Sequence, residues 1–473
     1  MTGHQVRSLI VECINRIPSS FRDPSGFLYH KNGVLYRQVQ TTYKDSYEHL
    51  MNSGLYDALV DADLLIPHKE QRVQYLASSG LYKTIKPEVI PFVSYPYEWC
   101  FSQLKDAALT TLRIQTMAME FGMSLKDANA YNIQFKDGKP VLVDTLSFER
   151  YVEGLPWVAY RQFCQHFLAP LALIRYKDVR LSQLPILYID GIPVDFASRL
   201  LPYRTRLVPT LFMHIHLHAR SQRHFAGKTC SLPDGKVSLL SFRGLIDSLE
   251  SAVRKLKWIP EGGSWGDYYS DIHYSAEAFE DKKRVVAEFL GRINAKAVWD
   301  LGSNAGLFGR IAGDKGIFTV CLDADHDVVE TCYLECKEKG EKNLFPLRID
   351  IINPTPAIGW ENQERMSLLE RGQGDTVMAL ALIHHLAISN NIPLSRLADF
   401  FVRLCSNLII EFVPKQDPKV QQLLSGRSDV FQNYSRRAFE NEFSRHFKIV
   451  SSTCIRDSTR ILYLMCRHQD RRK

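Results

Sequence analysis

The sequence has no apolar run long enough to span a bilayer, no CxxC pair, no internal repeat and no long low-complexity stretch. The first absence leaves no candidate for a membrane-spanning helix. Without CxxC, and with ten cysteines scattered over 473 residues, neither a dense disulfide framework nor a structural zinc site is expected. Cys332 and Cys336, one helical turn apart, read as small core residues. The segment from Met1 to Cys13 lacks a basic stretch followed by an apolar one, so the expectation is a cytoplasmic chain with no signal peptide and no membrane partner.

What is present is the composition of a globular protein, 45% hydrophobic and 23% charged. The length exceeds one ordinary core and predicts two domains. The net charge of +7 permits an anionic partner without requiring one; clusters such as Asp281–Arg284 and Arg471–Lys473 read as solvated surface charge.

Along the chain, two aromatic and β-branched runs around Asn32-Gly33 predict a hairpin over Gly26–Val39. Helical periodicity follows over Tyr47–Leu59 and Ala107–Met119, then from Arg161 to about Ala219. Residues 225–265 read as a linker holding a loop at Pro233-Asp-Gly235, an amphipathic helix over Phe242–Leu256 and a Gly/Pro cluster at 259–264. Beyond it, helix Ala276–Ile293 precedes strands at 297–301, 318–322, 344–349, 376–382 and 407–412, each separated by a helical stretch. A closing antiparallel pair is expected at 447–453 and 460–466. This alternation predicts an α/β fold with a mostly parallel sheet covered on both faces.

The first of these strands breaks into Gly302-Ser-Asn-Ala-Gly306 and a helix starting near Leu307. Glycines at 302 and 306 let backbone approach a ligand, and the helix start offers free N–H groups. The dinucleotide fingerprint G-x-G-x-x-G fails here, because Asn304 and Leu307 stand at its third and sixth positions. Acids recur at the carboxyl ends of successive strands, as Asp300, Asp323 and Asp350, where ligands of such sheets bind. Asp323 suits a ribose diol and Asp350 an adenine amino group.

Residues 266–473 thereby resemble the class I S-adenosylmethionine (SAM)-dependent methyltransferases, with a Rossmann-like seven-stranded sheet. The resemblance implies SAM as cofactor, with Asp300, Gly302, Ser303, Asn304, Gly306, Asp323, Ala324, Asp350 and Ile351 as its contacts. Methyl transfer aligns two reactants and needs a base where the acceptor carries a proton. His384, His385 and Glu411, after the fourth and fifth strands, are the catalytic candidates; a strand cap and backbone anchoring are their plainer readings. The aromatic run Tyr268–Tyr274 stands where such enzymes carry a lid, but simple packing of aromatic side chains is the favoured reading.

In the first half, Leu125–Asp144 reads as helix, loop and hairpin. Asp127, Asn132 and Asp144 have the spacing of the catalytic loop and metal-binding aspartate of kinase-like phosphotransferases, which they resemble. The departures are Leu125 in place of the expected histidine, no glycine-rich loop, and Arg37 where a strand lysine belongs. Residues 1–224 are therefore expected to form an α+β kinase-like domain of accessory role, with a β-turn hairpin carrying incidental Asp and Asn as the equally weighted alternative. His214, His216 and His218 would share a face only on a strand, and no metal site is expected there.

The whole chain resembles a bacterial family of two-part methyltransferases that includes nodulation-associated proteins. The stretches 95–99, 144–149, 379–386 and 410–415 carry that resemblance. It implies SAM-dependent methyl transfer and leaves the acceptor open; a small molecule is expected over nucleic acid, because the chain has no aromatic-plus-basic motif of the known nucleic-acid-binding modules. The rival readings are a bifunctional protein with ATP- and magnesium-dependent phosphotransfer in its first half, and a non-catalytic SAM-binding protein.

Overall fold

A computed structural model describes residues 14–72, 80–225, 237–260, 275–372, 374–425 and 429–468. The aromatic run 268–274, the Pro233–Gly235 loop, most of the 259–264 cluster and the tail 471–473 lie outside these residues. Among them, no helix is long and apolar enough to cross a membrane.

The first half opens with a five-stranded antiparallel sheet. Its strands are β1 (Ile14–Arg16), β2 (Gly26–Lys31), β3 (Val34–Gln40), β4 (His68–Gln71) and β5 (Leu81–Pro87), in the order β1-β2-β3-β5-β4. The β2–β3 hairpin turns at Asn32 and Gly33, both with positive φ (52° and 78°), as a two-residue turn between twisted strands requires. The helix expected over Tyr47–Leu59 is two helices, α1 (Lys44–Asn52) and α2 (Leu55–Asp61). Gly54, at φ 88°, breaks the helical path between them.

Helix α3 (Phe101–Glu120) leads into four short strands: β6 (Met123–Leu125), β7 (Ile133–Lys136), β8 (Lys139–Leu142) and β9 (Phe148–Arg150). β6 pairs with β9, and β7 with β8. The expected helix at Leu125 is therefore a strand. Its pairing with Phe148 lies outside the window that local periodicity samples. A helical block follows to Phe225, and helix Leu239–Lys255 packs on α3 and buries Phe242, Ile246 and Leu249.

The second half is a seven-stranded sheet of β10 (Ala297–Leu301), β11 (Phe318–Asp323), β12 (Leu344–Arg348), β13 (Gly374–Ala379), β14 (Cys405–Phe412), β15 (Phe447–Cys454) and β16 (Ile461–Arg467). The order is β12-β11-β10-β13-β14-β16-β15, parallel except for β16, which runs antiparallel to both neighbours. The order reverses between β10 and β13, which opens a crevice at the carboxyl ends of those strands.

One expected element is missing. Among the described residues between β12 and β13 there is no α-helix, only an irregular segment with a short turn at Trp360–Asn362. Its polar groups go to the first half instead. Thr355 Oγ1 donates to Glu98, the Met366 amide donates to Tyr95 Oη, and Arg371 pairs with Glu98. Phe92 meets Trp299 edge-on at 5.4 Å, and one apolar core runs through both halves.

Candidate functional site

Strand β10 is buried from Val298 to Leu301 and apolar but for Asp300, after which three residues in five take positive φ: Gly302 (69°), Asn304 (50°) and Gly306 (79°). This folds the chain into a tight turn ahead of helix Leu307–Gly313. The amides of Gly302 and Ser303 both donate to the Leu322 carbonyl, at 2.8 and 3.1 Å, which ties the turn to the end of β11. A Cβ on Gly306 would lie 2.6 Å from Cys332 Sγ, and one on Gly309 2.5 Å from Cys321 Sγ. Close approach of backbone to the cysteines below requires glycine at both positions.

Asp323, at the end of β11, accepts from the Asn304 amide at 2.8 Å with one oxygen and from the Asp325 amide at 3.0 Å with the other. Burial raises its carboxyl above the usual range, opposed by these amide bonds. Asp350 stands beyond β12 and accepts from the Ile352 amide at 2.8 Å. The Ile349 amide donates to the Asp323 carbonyl, and Arg348 Nε to the Ala324 carbonyl, so the loops after β11 and β12 are joined. The turn, Asp323 with Ala324, and Asp350 with Ile351 thus stand together along one sheet edge.

Asp300 is placed differently. It is 2% exposed and lies beneath the turn, with one carboxylate oxygen lacking a partner. Burial pushes its carboxyl up to about 7, against the pull of Lys282 and of the Gly309 amide.

After β13, Ala381 adopts φ 50° and donates its amide to Glu411 Oε2 at 2.8 Å. His384 follows, buried, its Nδ1 unpartnered and its ring pushed down to about 3 by burial, so it is neutral at any ordinary pH. His385 beside it is exposed, the two ring centroids 4.2 Å apart. Glu411 is fully buried. Lys282 Nζ lies 2.6 Å from it, and Arg460, which also pairs with Asp417 at 2.7 Å, lies 3.5 Å away. A carboxylate held by two cations and an amide is poorly disposed to take a proton from a substrate.

Lys282 and Arg460 had no signal as site residues, and the expectation of solvated charge fails for Lys282. It is 3% exposed, because helix Ala276–Ile293 buries Ala278, Lys282, Val285, Val286 and Phe289 on one stripe. Helical spacing from Ala278 would have put position 282 on that inner face.

In the first half, Asp127, Asn132 and Asp144 do come together. Burial and the nearby Asp144 raise the Asp127 carboxyl, and a hydrogen bond from Asn132 opposes this. Arg37, on β3, reaches Asp144 at 2.9 Å and Asp23 at 2.6 Å. The three histidines are occupied by protein. His214 bridges Tyr160 and Ser248, His216 bridges Ser198 and Thr205, and His218 stacks on Tyr160. Among the described residues, no group of three His, Cys, Asp or Glu side chains could hold a metal ion.

No protein-family model matches the chain. Among solved structures, it is similar to the bifunctional kinase-methyltransferase WbdD at 15% identity and a TM-score of 0.31, covering 46% of this chain and 45% of that one. It is also similar to the N-methyltransferase NodS of Bradyrhizobium japonicum WM9 at 10% identity and a TM-score of 0.31, covering 41% of this chain and 99% of that one. In sequence it is 32% identical over 456 residues to nodulation protein NoeA of Rhizobium meliloti (strain 1021), covering 95% of each. A match of that extent takes in both halves and the segment that docks one on the other, and the chain belongs to the NoeA family of nodulation proteins.

Proposed function

We propose that this protein is a SAM-dependent methyltransferase whose cofactor lies across the carboxyl ends of β10, β11 and β12. The observation that carries the reading is the hydrogen bond from Asn304 to Asp323, which joins the glycine turn and the acid of the next strand beside the switch point of the sheet. A carboxylate has about four acceptor positions. The amides of Asn304, Asp325 and Ala324 lie against the Asp323 carboxylate, and its remaining acceptor capacity suits a ribose hydroxyl. Asp350 and Ile351 would border the adenine, and Gly302, Ser303, Asn304 and Gly306 the methionine portion.

Bound there, SAM supplies an electrophilic methyl group on a sulfonium. The chain's own residues orient the acceptor and exclude water. His384, neutral and with a free Nδ1, is the group best suited to orient an acceptor proton, with His385 at the rim. Glu411 acts as a positioning residue through Ala381, and Asp300 holds the turn from beneath.

In this reading residues 1–224 form an accessory kinase-like domain, 225–265 a connection and 266–473 the methyltransferase domain. Asp127 follows β6, Asn132 precedes β7 and Asp144 lies between β8 and β9, a placement that supports this reading of the first half. The ion pairs of Arg37 with Asp23 and Asp144 weigh against metal-dependent phosphotransfer, since a guanidinium already occupies the Asp144 carboxylate that would hold the metal. The deciding experiment is calorimetric titration with SAM. Micromolar binding supports the reading; absence of binding to SAM and to its demethylated product overturns it. Binding without turnover over broad acceptor pools would favour a non-catalytic SAM protein.

A further inference from the structure

From Phe196 to Pro233 the chain carries no acidic residue, against five arginines and one lysine. Within this stretch, Tyr203, Leu207, Phe212, Met213 and Leu217 are between 42% and 77% exposed. Leu211, Ile215 and Ala219 of the same segment are buried, so its inward face is already satisfied. Arg204, Arg206 and Arg220 stand among the outward apolar side chains, exposed and with no ion pair recorded among the described residues. Arg206 lies over the Tyr203 ring at 5.0 Å, and Arg204 over Tyr176 at 5.6 Å. A helical segment apolar on both faces ordinarily has both covered.

We propose that this face, Tyr203 to Arg220, docks on the surface of an anionic phospholipid membrane. Arginines that form no ion pair with the described acids of the chain complement lipid phosphates, and Leu207, Phe212, Met213 and Leu217 gain by leaving water for the boundary between headgroups and acyl chains. A second copy of the chain fits poorly. A two-fold contact sets the same acid-free patch against itself and leaves the arginines without counter-charge. A nucleic acid would use the arginines but gain nothing from exposed leucine and methionine. The face leaves no long apolar run in the sequence, which is why it departs from the expectation of no membrane partner.

The test is co-sedimentation of the full chain with vesicles of phosphatidylcholine alone and of phosphatidylcholine mixed with phosphatidylglycerol. Binding to the mixed vesicles only, weakened by salt, is expected. Replacing Arg204, Arg206 and Arg220 by glutamine should weaken it about fivefold per arginine. The Leu207→Ser/Met213→Ser/Leu217→Ser variant changes only exposed side chains, and should lose binding with an unchanged melting temperature. No binding to the mixed vesicles overturns the proposal, as does binding that survives in both variants. Equally tight capture by single-stranded RNA, lost in the arginine variant and kept in the serine variant, would overturn it in favour of a polyanion site.

Discussion

Glu98 and Arg371, 273 positions apart, form an ion pair in which each side chain is 1% exposed and two guanidinium nitrogens reach the carboxylate. The same carboxylate accepts from Thr355 and from the Tyr95 amide, and Arg371 also donates to the Val93 carbonyl. The pair clamps the segment between β12 and β13 onto the first half. Removing one partner strands a buried charge, so Glu98→Ala or Arg371→Ala should each cost about 3–5 kcal/mol. Replacing both by apolar residues of similar size should cost less than either single change. Urea denaturation measures all three.

The turn and its acid make a prediction about the cofactor alone. Asp323→Ala removes two amide bonds and the proposed diol partner. SAM affinity should fall at least about tenfold, given about 1.5–3 kcal/mol for hydrogen bonds to a charged group. Calorimetry reads this without any acceptor, and an unchanged affinity would remove Asp323 from the site.

Gly306→Ala meets two separate obstacles, the φ of 79° and the Cys332 sulfur 2.6 Å from the new carbon. Both destabilise, by about 1 kcal/mol or more for the backbone alone. Adding Cys332→Ala should recover the steric part and leave the backbone part. Melting temperatures of the single and double variants separate the two.

Asp300 sets a pH dependence. Its folded value near 7 stands above the unfolded value of about 3.9. Its contribution to stability is complete below the unfolded value and is lost as pH rises through about 7, by up to about 1.4 kcal/mol per pH unit. His384 runs the other way. Burial lowers it to about 3, so its contribution is present above the unfolded value near 6.5 and is lost as pH falls toward 3. The wild-type profile sums both effects, and the comparison with Asp300→Asn isolates one. The variant should gain stability relative to wild type steadily from about pH 4 to pH 7. A constant difference across that range would show that Asp300 does not titrate there.

Lys282 and Glu411 should behave as a coupled pair beneath the loop that carries His384. Lys282→Met removes the cation 2.6 Å from the buried Glu411 and should cost about 3–5 kcal/mol; Glu411→Gln also weakens the hold on Ala381. A double-mutant cycle by denaturation gives the coupling, expected above about 0.5 kcal/mol. If Glu411 positions His384, Glu411→Gln should lower turnover while leaving the SAM affinity within about twofold.

Much of the second half was legible in the sequence because its signals are local. Strand and helix periods, a Gly-Ser-Asn-Ala-Gly turn and an acid at each strand end locate the elements to within two or three residues, and the order of elements implies the parallel sheet. The β2–β3 hairpin was legible for the same reason, since Asn32 and Gly33 specify their own turn. Only tertiary structure decided what depends on distant partners. Leu125 became a strand because Phe148 pairs with it, and the segment after β12 stayed irregular because the first half satisfies its polar groups. Helical spacing puts Lys282 on the inner face, but its partner Glu411 across the core, and the hold of Gly309 and Lys282 on the Asp300 carboxylate, follow only from the assembled fold. Periodicity determines which face of an element is apolar; the ion pairs buried between elements follow only from how those faces are assembled.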